Sequence, residues 1–143
     1  MTYFVAAVFL LLAIFAFRRE RWAYISFIVL ALFYFLARAG FQVTAPRCEL
    51  ALDAGLALQS LRNYAHIVLF ALFYLITDAQ LKGKHGAARF AIAMLAVLAM
   101  GAAVELLEGI TAHGHCRVRD LVPDAAGGVL GAALAALLAR LRN

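Results

Sequence analysis

Several charged side chains stand close together between very apolar runs of this chain. Residues 104–131 hold four carboxylates and two arginines, namely Glu105, Glu108, Asp120, Asp124, Arg117 and Arg119. Glu105 and Glu108 are three residues apart, so they would share one face of a helix. The guanidinium fork of arginine suits phosphate and carboxylate groups. The stretch could therefore bind an anionic group through its arginines, with Glu105 and Asp120 orienting them, or it could hold only solvated interfacial charges.

Acid/base chemistry is a second possibility for the same region. Glu105 and His66 are the candidate catalytic residues, because a carboxylate and an imidazole can serve as general acid and general base. The only serines of the chain are Ser26 and Ser60, and neither lies in a recognisable nucleophile context. A hydrolytic enzyme of this kind would act on a lipid-linked substrate.

A metal site would have to draw on His113, His115 and Cys116. The spacing H-x-H-C is too short to be a recognised ligand set, and a polar loop explains it equally well. We therefore expect neither a metal nor another cofactor.

The composition decides which elements position these residues. Of 143 residues, 66% are hydrophobic and 15% are charged, and the mean hydropathy is +0.92. A soluble domain of this size could not bury so much apolar surface, which indicates a single integral membrane domain of the all-α class. The net charge of +5 is divided among short loops, so the pattern predicts contact with membrane lipids and no binding to nucleic acid.

The apolar runs and their charged breaks predict a bundle of about five short transmembrane helices. The expected spans are Thr2 to Phe17, Trp22 to Ala37, Tyr64 to Thr77, Ala88 to Ile110, and Leu121 to Ala139. The first run is expected to be a span and not a signal peptide, because its basic residues follow it. Residues 44–63 form either an interfacial helix on the membrane surface or an extension of the third span.

Lysine and arginine placement predicts the orientation. Eight of these residues follow the first, third and fifth spans, and five lie on the opposite side. The N-terminus should be outside and the C-terminus inside, because the more basic side is usually cytoplasmic. At ~1.5 Å of rise per residue, Arg38, His66, Glu105 and Asp124 then reach a similar level near the outer headgroups. We expect one polar cluster there, with Glu105, Asp120 and either Arg117 or Arg119 within hydrogen-bond or ion-pair reach.

The last apolar run opens with Asp120 and Asp124 and continues as a stripe of small residues. Carboxylates at this position favour the positive end of a helix dipole. Gly127, Gly128 and Gly131 follow, and the Gly127–Gly131 spacing is of the GxxxG type. Such a face allows another helix to approach closely, so these glycines are interpreted as helix-packing positions.

The two cysteines of the chain, Cys48 and Cys116, both fall in extracytoplasmic loops under this orientation. Disulfides form and persist on that side of a membrane. We predict a bridge between them, which would hold the 44–63 segment over the charged loop and fix Arg117 and Asp120 beside Glu105.

In these residues the chain resembles the VanZ-like family of small membrane proteins over roughly residues 60–139. The family pattern has a glutamate, a loop arginine, an aspartate, a glycine in a small-residue helix, and an earlier span that opens with histidine. The matching positions are Glu105, Arg117 or Arg119, Asp120, Gly127 and the run "HIVLFALFYL" from His66. The chain departs from the pattern in carrying Glu108 where glutamine is usual and Asp124 where asparagine is usual, and its arginine lies closer to Asp120.

The resemblance implies a bacterial inner (cytoplasmic) membrane protein of the cell envelope, in a family associated with teicoplanin resistance. It favours an outer-leaflet polar site that binds or modifies a lipid headgroup, a lipid-linked cell-wall precursor or a glycopeptide. The residues expected at that site are Glu105, Glu108, Arg117, Arg119, Asp120, Asp124, His66 and Arg38. An acid/base enzyme and a subunit of a proton- or ion-coupled transporter are the alternatives, and a transporter of five short spans would need to assemble as a homo-oligomer.

Overall fold

The computed structural model describes residues 2–38, 43, 45, 48–51, 53–81, 83, 86–111 and 116–141. Six helices account for most of them: α1 (Thr2–Phe17), α2 (Arg21–Arg38), α3 (Ala54–Ser60), α4 (Tyr64–Gln80), α5 (Gly86–Thr111) and α6 (Leu121–Leu141). Two short strands, β1 (Cys48–Glu49) and β2 (Cys116–Arg117), pair in parallel, and a 3-10 turn covers Val118–Asp120. The all-α class is as predicted, and the five expected spans match α1, α2, α4, α5 and α6 to within a few residues.

Length and composition make two of these helices long and apolar enough to cross a membrane, namely α5 and the segment Val118–Leu141 that contains α6. The pair α3 and α4 passes the same test as a third, bent span. Helices α1 and α2 are apolar but shorter. The chain therefore forms a helical bundle that contains helices able to span a membrane. The number of five spans remains a prediction.

Helix α3 is not a straight continuation of α4, because the two helices meet at 75°. It begins at an N-cap, where the Asp53 carboxylate accepts a hydrogen bond from the Leu56 amide at 3.0 Å. At its other end the Ser60 hydroxyl lies 3.0 Å from the carbonyl oxygen of Arg119. The bend and this contact place α3 beside the 3-10 turn that precedes α6.

Helix α4 packs more extensively against α6 than any other two elements pack together. The glycines of α6 make this possible: a Cβ atom added to Gly127 would lie 2.6 Å from the Ile67 carbonyl oxygen, and one added to Gly131 would lie 2.7 Å from that of Ala71. Both contacts advance by four residues along each helix, so α4 and α6 run parallel and begin at the same end of the bundle. Helix α4 therefore packs directly against the small-residue stripe of α6.

The bundle has two polar ends, which we call the disulfide end and the arginine end. The disulfide end holds Cys48, Cys116 and the first turns of α4 and α6. At the arginine end, the side-chain amide of Gln80 donates to the Ala16 carbonyl at 2.6 Å, which joins the last turns of α4 and α1. The apolar core between the two ends consists of Leu12, Ala13, Ala16, Ala23, Phe70, Phe73, Tyr74, Ile76, Ala93 and Val97.

Candidate functional site

The candidate site is centred on Glu105, which lies on the buried face of α5 and is only 5% exposed. Its carboxylate accepts a hydrogen bond from the backbone amide of Arg117 at 2.7 Å. Gly101 and Gly109 lie four residues before and after it on the same face, each ~6 Å away along the helix axis. Glu105 therefore lies between two positions of α5 that carry no side chain, one a turn before it and one a turn after it.

The space at these two positions is filled by the other parts of the site. A Cβ atom at Gly101 would collide with the Asp124 carboxylate. One at Gly109 would lie 2.8 Å from the Cys116 Cβ and 3.3 Å from the Cys48 sulfur. Sequence reasoning did not identify either glycine, although the four-residue spacing around Glu105 was a usable signal. Gly101 and Gly109 are thus positioning residues that let a carboxylate and the disulfide lie directly against α5.

Asp124 and His66 form the second polar pair of the site. Nδ1 of His66 lies 2.8 Å from Oδ1 of Asp124, and the Asp124 side chain is 1% exposed while that of His66 is 25% exposed. Both residues lie in the first turn of their helices, so the positive ends of α4 and α6 favour the carboxylate. With Asp124 ionised, Nδ1–H is the donor. Of the two acid/base candidates named from the sequence, His66 thus pairs with Asp124 and not with Glu105.

The predicted disulfide between Cys48 and Cys116 is present, with 4.5 Å between the Cα atoms. It joins β1 to β2, whose register places Glu49 opposite Arg117. The bridge and the strand pair together bring the segment before α3 onto the loop between α5 and α6. Arg117 directly follows Cys116 in the chain. The bridge therefore also helps to hold the backbone amide of Arg117 within hydrogen-bond distance of the Glu105 carboxylate.

The two arginines are oriented by Glu49 and not by Glu105 and Asp120, which corrects the expectation from the sequence. Nε of Arg117 lies 3.4 Å from one Glu49 carboxylate oxygen. Nη1 of Arg119 lies 3.1 Å from the other oxygen. Glu49 is 44% exposed, whereas the side chains of Arg117 and Arg119 are 34% and 17% exposed. The sequence reasoning missed Glu49 because only the strand pairing brings it to this loop.

The remaining predicted residues lie at the edge of the cluster or cannot be placed. Glu108 and Asp120 are partly buried, and in the described part of the chain neither carboxylate makes a hydrogen bond or ion pair. Asp120 is close enough for its charge to act on Glu105, as are Glu108 and Asp124. The side chain of Arg38 lies outside what the structure describes, as do residues His113 and His115.

The arrangement thus has a buried layer and an accessible layer. Glu105 and Asp124 form the buried layer, and the partly exposed side chains of His66, Arg117 and Arg119 lie over it. Among the described residues, no three histidine, cysteine, aspartate or glutamate side chains are arranged to hold a metal ion. What the accessible groups can do is donate hydrogen bonds to an anion and exchange a proton at the imidazole.

Comparisons with curated proteins and with solved structures found no match. The family model described as VanZ/LLP1 matches residues 2–139, a longer region than the one in which the sequence motifs were recognised. Because this match covers nearly all of the helical bundle, the chain belongs to the VanZ-like family.

Proposed function

We propose that the disulfide end of this VanZ-like membrane protein binds an envelope component through an anionic headgroup in the outer leaflet of the bacterial inner membrane. The observation that carries the proposal is the pair of guanidinium groups, Arg117 and Arg119, held side by side on Glu49. A guanidinium has five N–H donors, and the contacts to Glu49 use only a part of them. Phosphate and carboxylate groups are the ligands that such a pair recognises.

The buried layer supports this role by fixing the backbone that carries the two arginines. Glu105 holds the backbone of Arg117, and Ser60 contacts the backbone of Arg119. The disulfide fixes the same loop from the other side. Two arginines on a fixed backbone lose less conformational entropy on binding than two on a mobile loop. The predicted partners remain a lipid headgroup, a lipid-linked cell-wall precursor and a glycopeptide, all of which carry phosphate or carboxylate groups.

A binding measurement tests this proposal. The purified protein in neutral detergent is titrated separately with a polyprenyl-diphosphate-linked saccharide, an anionic phospholipid and a soluble glycopeptide, and bound species are counted by native mass spectrometry. The variant Arg117→Gln/Arg119→Gln should lose at least about tenfold in affinity for the preferred compound, since charge-assisted hydrogen bonds are lost. Arg62→Gln is the matched control, because Arg62 is an exposed arginine between α3 and α4. Wild-type affinity in the double variant would exclude this site.

A second candidate function is acid/base catalysis on the bound component, and the His66–Asp124 pair favours it. A carboxylate on one imidazole nitrogen fixes the ring and its tautomer, which leaves Nε2 to exchange a proton with a substrate. His66 is accessible enough to do so, at 25% exposure. Glu105, the other acid/base candidate, is buried and accepts the Arg117 amide, which favours a role in supporting the backbone of Arg117.

Product analysis separates the two functions. The reconstituted protein is incubated with a diphosphate-linked lipid, and the lipid is then analysed by mass spectrometry. If His66 is catalytic, His66→Gln should abolish product formation while binding persists. Intact lipid after prolonged incubation with the wild-type protein would leave binding alone as the function.

A further inference from the structure

The arginine end contains a cavity that no part of the proposed function uses. Its volume is about 550 Å³, and three arginines and one aspartate line it: Arg18, Arg19, Arg89 and Asp78. The rest of the wall is apolar and comes from the last turns of α1, α4 and α6, including Phe17 and Leu138. We propose that this cavity binds an anionic phospholipid, with the headgroup phosphate on Arg18 and Arg19 and an acyl chain along the apolar wall.

The charges in the cavity are not balanced. Arg89 is neutralised by Asp78, to which it donates from Nε and from Nη2, each at 2.5 Å. Arg18 and Arg19 are exposed, and within the described part of the chain neither forms an ion pair. The cavity therefore presents two unneutralised guanidinium groups, and their bidentate geometry suits a phosphate.

The apolar wall identifies the source of the phosphate. Phe17 is 41% exposed and Leu138 is 39% exposed, although both face the cavity. A soluble phosphate would contact only the arginines, whereas a phospholipid would also cover this apolar surface with a hydrocarbon chain. Basic pockets between transmembrane helices are known to take anionic headgroups in this way. A phospholipid thus has a group for each part of the cavity: its phosphate for the arginines and an acyl chain for the apolar wall.

The backbone at Arg19 gives an independent reason to assign a role to this side chain. Arg19 has φ of 71°, in the left-handed region. Its amide donates to the Ala16 carbonyl at 2.8 Å, and the next amide, of Glu20, donates to that of Phe15 at 3.1 Å. This pair of bonds defines a Schellman helix end, whose left-handed position is usually a glycine. Arginine is unfavourable there for the backbone, so its presence is consistent with a function of the guanidinium.

The test compares lipids and variants in one assay. Wild-type protein in neutral detergent is titrated with short-chain phosphatidylglycerol, with phosphatidylcholine of the same chains, and with soluble glycerol phosphate, and complexes are counted by native mass spectrometry. Phosphatidylglycerol should bind at least tenfold more tightly than either of the others. Arg18→Gln/Arg19→Gly should reduce that preference at least tenfold. Arg21→Gln, an exposed arginine outside the cavity, should retain it.

Stability provides the second readout. Arg19→Gly alone should raise the melting temperature by a few degrees, because it relieves the left-handed arginine, while it weakens lipid binding. If Arg19 had only a structural role, Arg19→Gly would raise the melting temperature without weakening lipid binding. The proposal is overturned if the double variant keeps its preference, if Arg21→Gln loses as much, or if glycerol phosphate binds as tightly as the lipid. The same comparisons are made in the Arg117→Gln/Arg119→Gln background, so that lipid bound at the disulfide end does not enter the count and the two sites are tested separately.

Discussion

At the scale of single residues, two buried carboxylates hold the candidate site together in different ways. Glu105 accepts a backbone amide, whereas Asp124 accepts the imidazole of His66. A buried polar group that loses its partner costs the free energy of its desolvation, about 1–3 kcal/mol for a neutral donor. Exposed ion pairs such as those of Glu49 contribute much less, about 0–1 kcal/mol. The two kinds of carboxylate should therefore respond differently to truncation.

Glu105→Ala should lower the free energy of unfolding by about 2 kcal/mol, because it leaves the Arg117 amide without its acceptor. Glu49→Ala should lower it by less than about 1 kcal/mol, although Glu49 contacts both arginines, since these pairs are partly solvated. Chemical unfolding of both variants in the same detergent measures the difference. Equal effects would mean that the hydrogen bond of Glu105 contributes nothing beyond surface charge.

Asp124→Ala should lower the free energy of unfolding by about 2–3 kcal/mol, because it leaves the partly buried imidazole of His66 without its acceptor. Asp124→Asn is the matched control: its amide oxygen can still accept from Nδ1 of His66, so the loss should stay below about 2 kcal/mol. Asparagine is also the residue that the family pattern has at this position. If the alanine and asparagine variants unfold alike, the pair with His66 is not what stabilises Asp124.

The sequence predicted which residues belong to the site, but not which of them contact each other. Glu105, Asp124 and His66 stood out because ionisable groups inside apolar runs usually face the interior of a bundle. Which acid meets His66 depends on the rotation of α4 and α6 about their axes. That rotation is set by the contacts of Gly127 and Gly131 over whole helices, and no local spacing reveals it.

At the scale of elements, the contact between α4 and α6 brings His66 to Asp124. In most helices Gly→Ala is stabilising by up to about 1 kcal/mol. Gly127→Ala should have the opposite sign and destabilise by about 1–3 kcal/mol, because the added Cβ would lie 2.6 Å from the Ile67 carbonyl oxygen and force α4 away. Thermal unfolding in detergent checks the sign.

The control is the reverse substitution at an exposed position of the same helix. Ala133→Gly should destabilise by about 1 kcal/mol through helix propensity alone. A rise in stability for Gly127→Ala would show that α4 does not lie against this stripe.

Element boundaries followed from the sequence because charged breaks such as Arg18 to Arg21 interrupt apolar runs clearly. The 75° bend between α3 and α4 did not, since a short amphipathic segment fits both a surface helix and an extension. The strands β1 and β2 were also not predictable, because two-residue strands carry no periodicity. Their position depends on the disulfide, a contact between residues 68 apart in the chain.

At the scale of the whole molecule, that disulfide closes a covalent loop between residues 68 apart in the chain. Reduction, or the variant Cys48→Ser/Cys116→Ser, should lower the free energy of unfolding by about 2–4 kcal/mol, because the unfolded chain gains conformational freedom. The site should loosen as well, since the bridge carries the Arg117 amide to Glu105. Thermal unfolding with and without reductant measures the effect, and the serine variant should not respond to reductant. An unchanged midpoint on reduction of the wild type would show that the bridge does not constrain the fold.

The two ends of the molecule also predict how it lies in the membrane. The last turns of α1, α4 and α6 meet around one cavity, and Arg18, Arg19 and Arg89 line it at the arginine end. That end should be cytoplasmic by the positive-inside rule. The disulfide end should then face the oxidising side of the membrane, where a bridge persists.

A cytoplasm-active reporter fused after Asn143 should be active, and an export-active reporter at the same position should be inactive. A membrane-impermeant thiol reagent should label the exposed Cys48 on intact cells after mild reduction, and the double serine variant should stay unlabelled. Export activity at Asn143 would invert the bundle and move the arginine pair of the proposed envelope site to the cytoplasmic side.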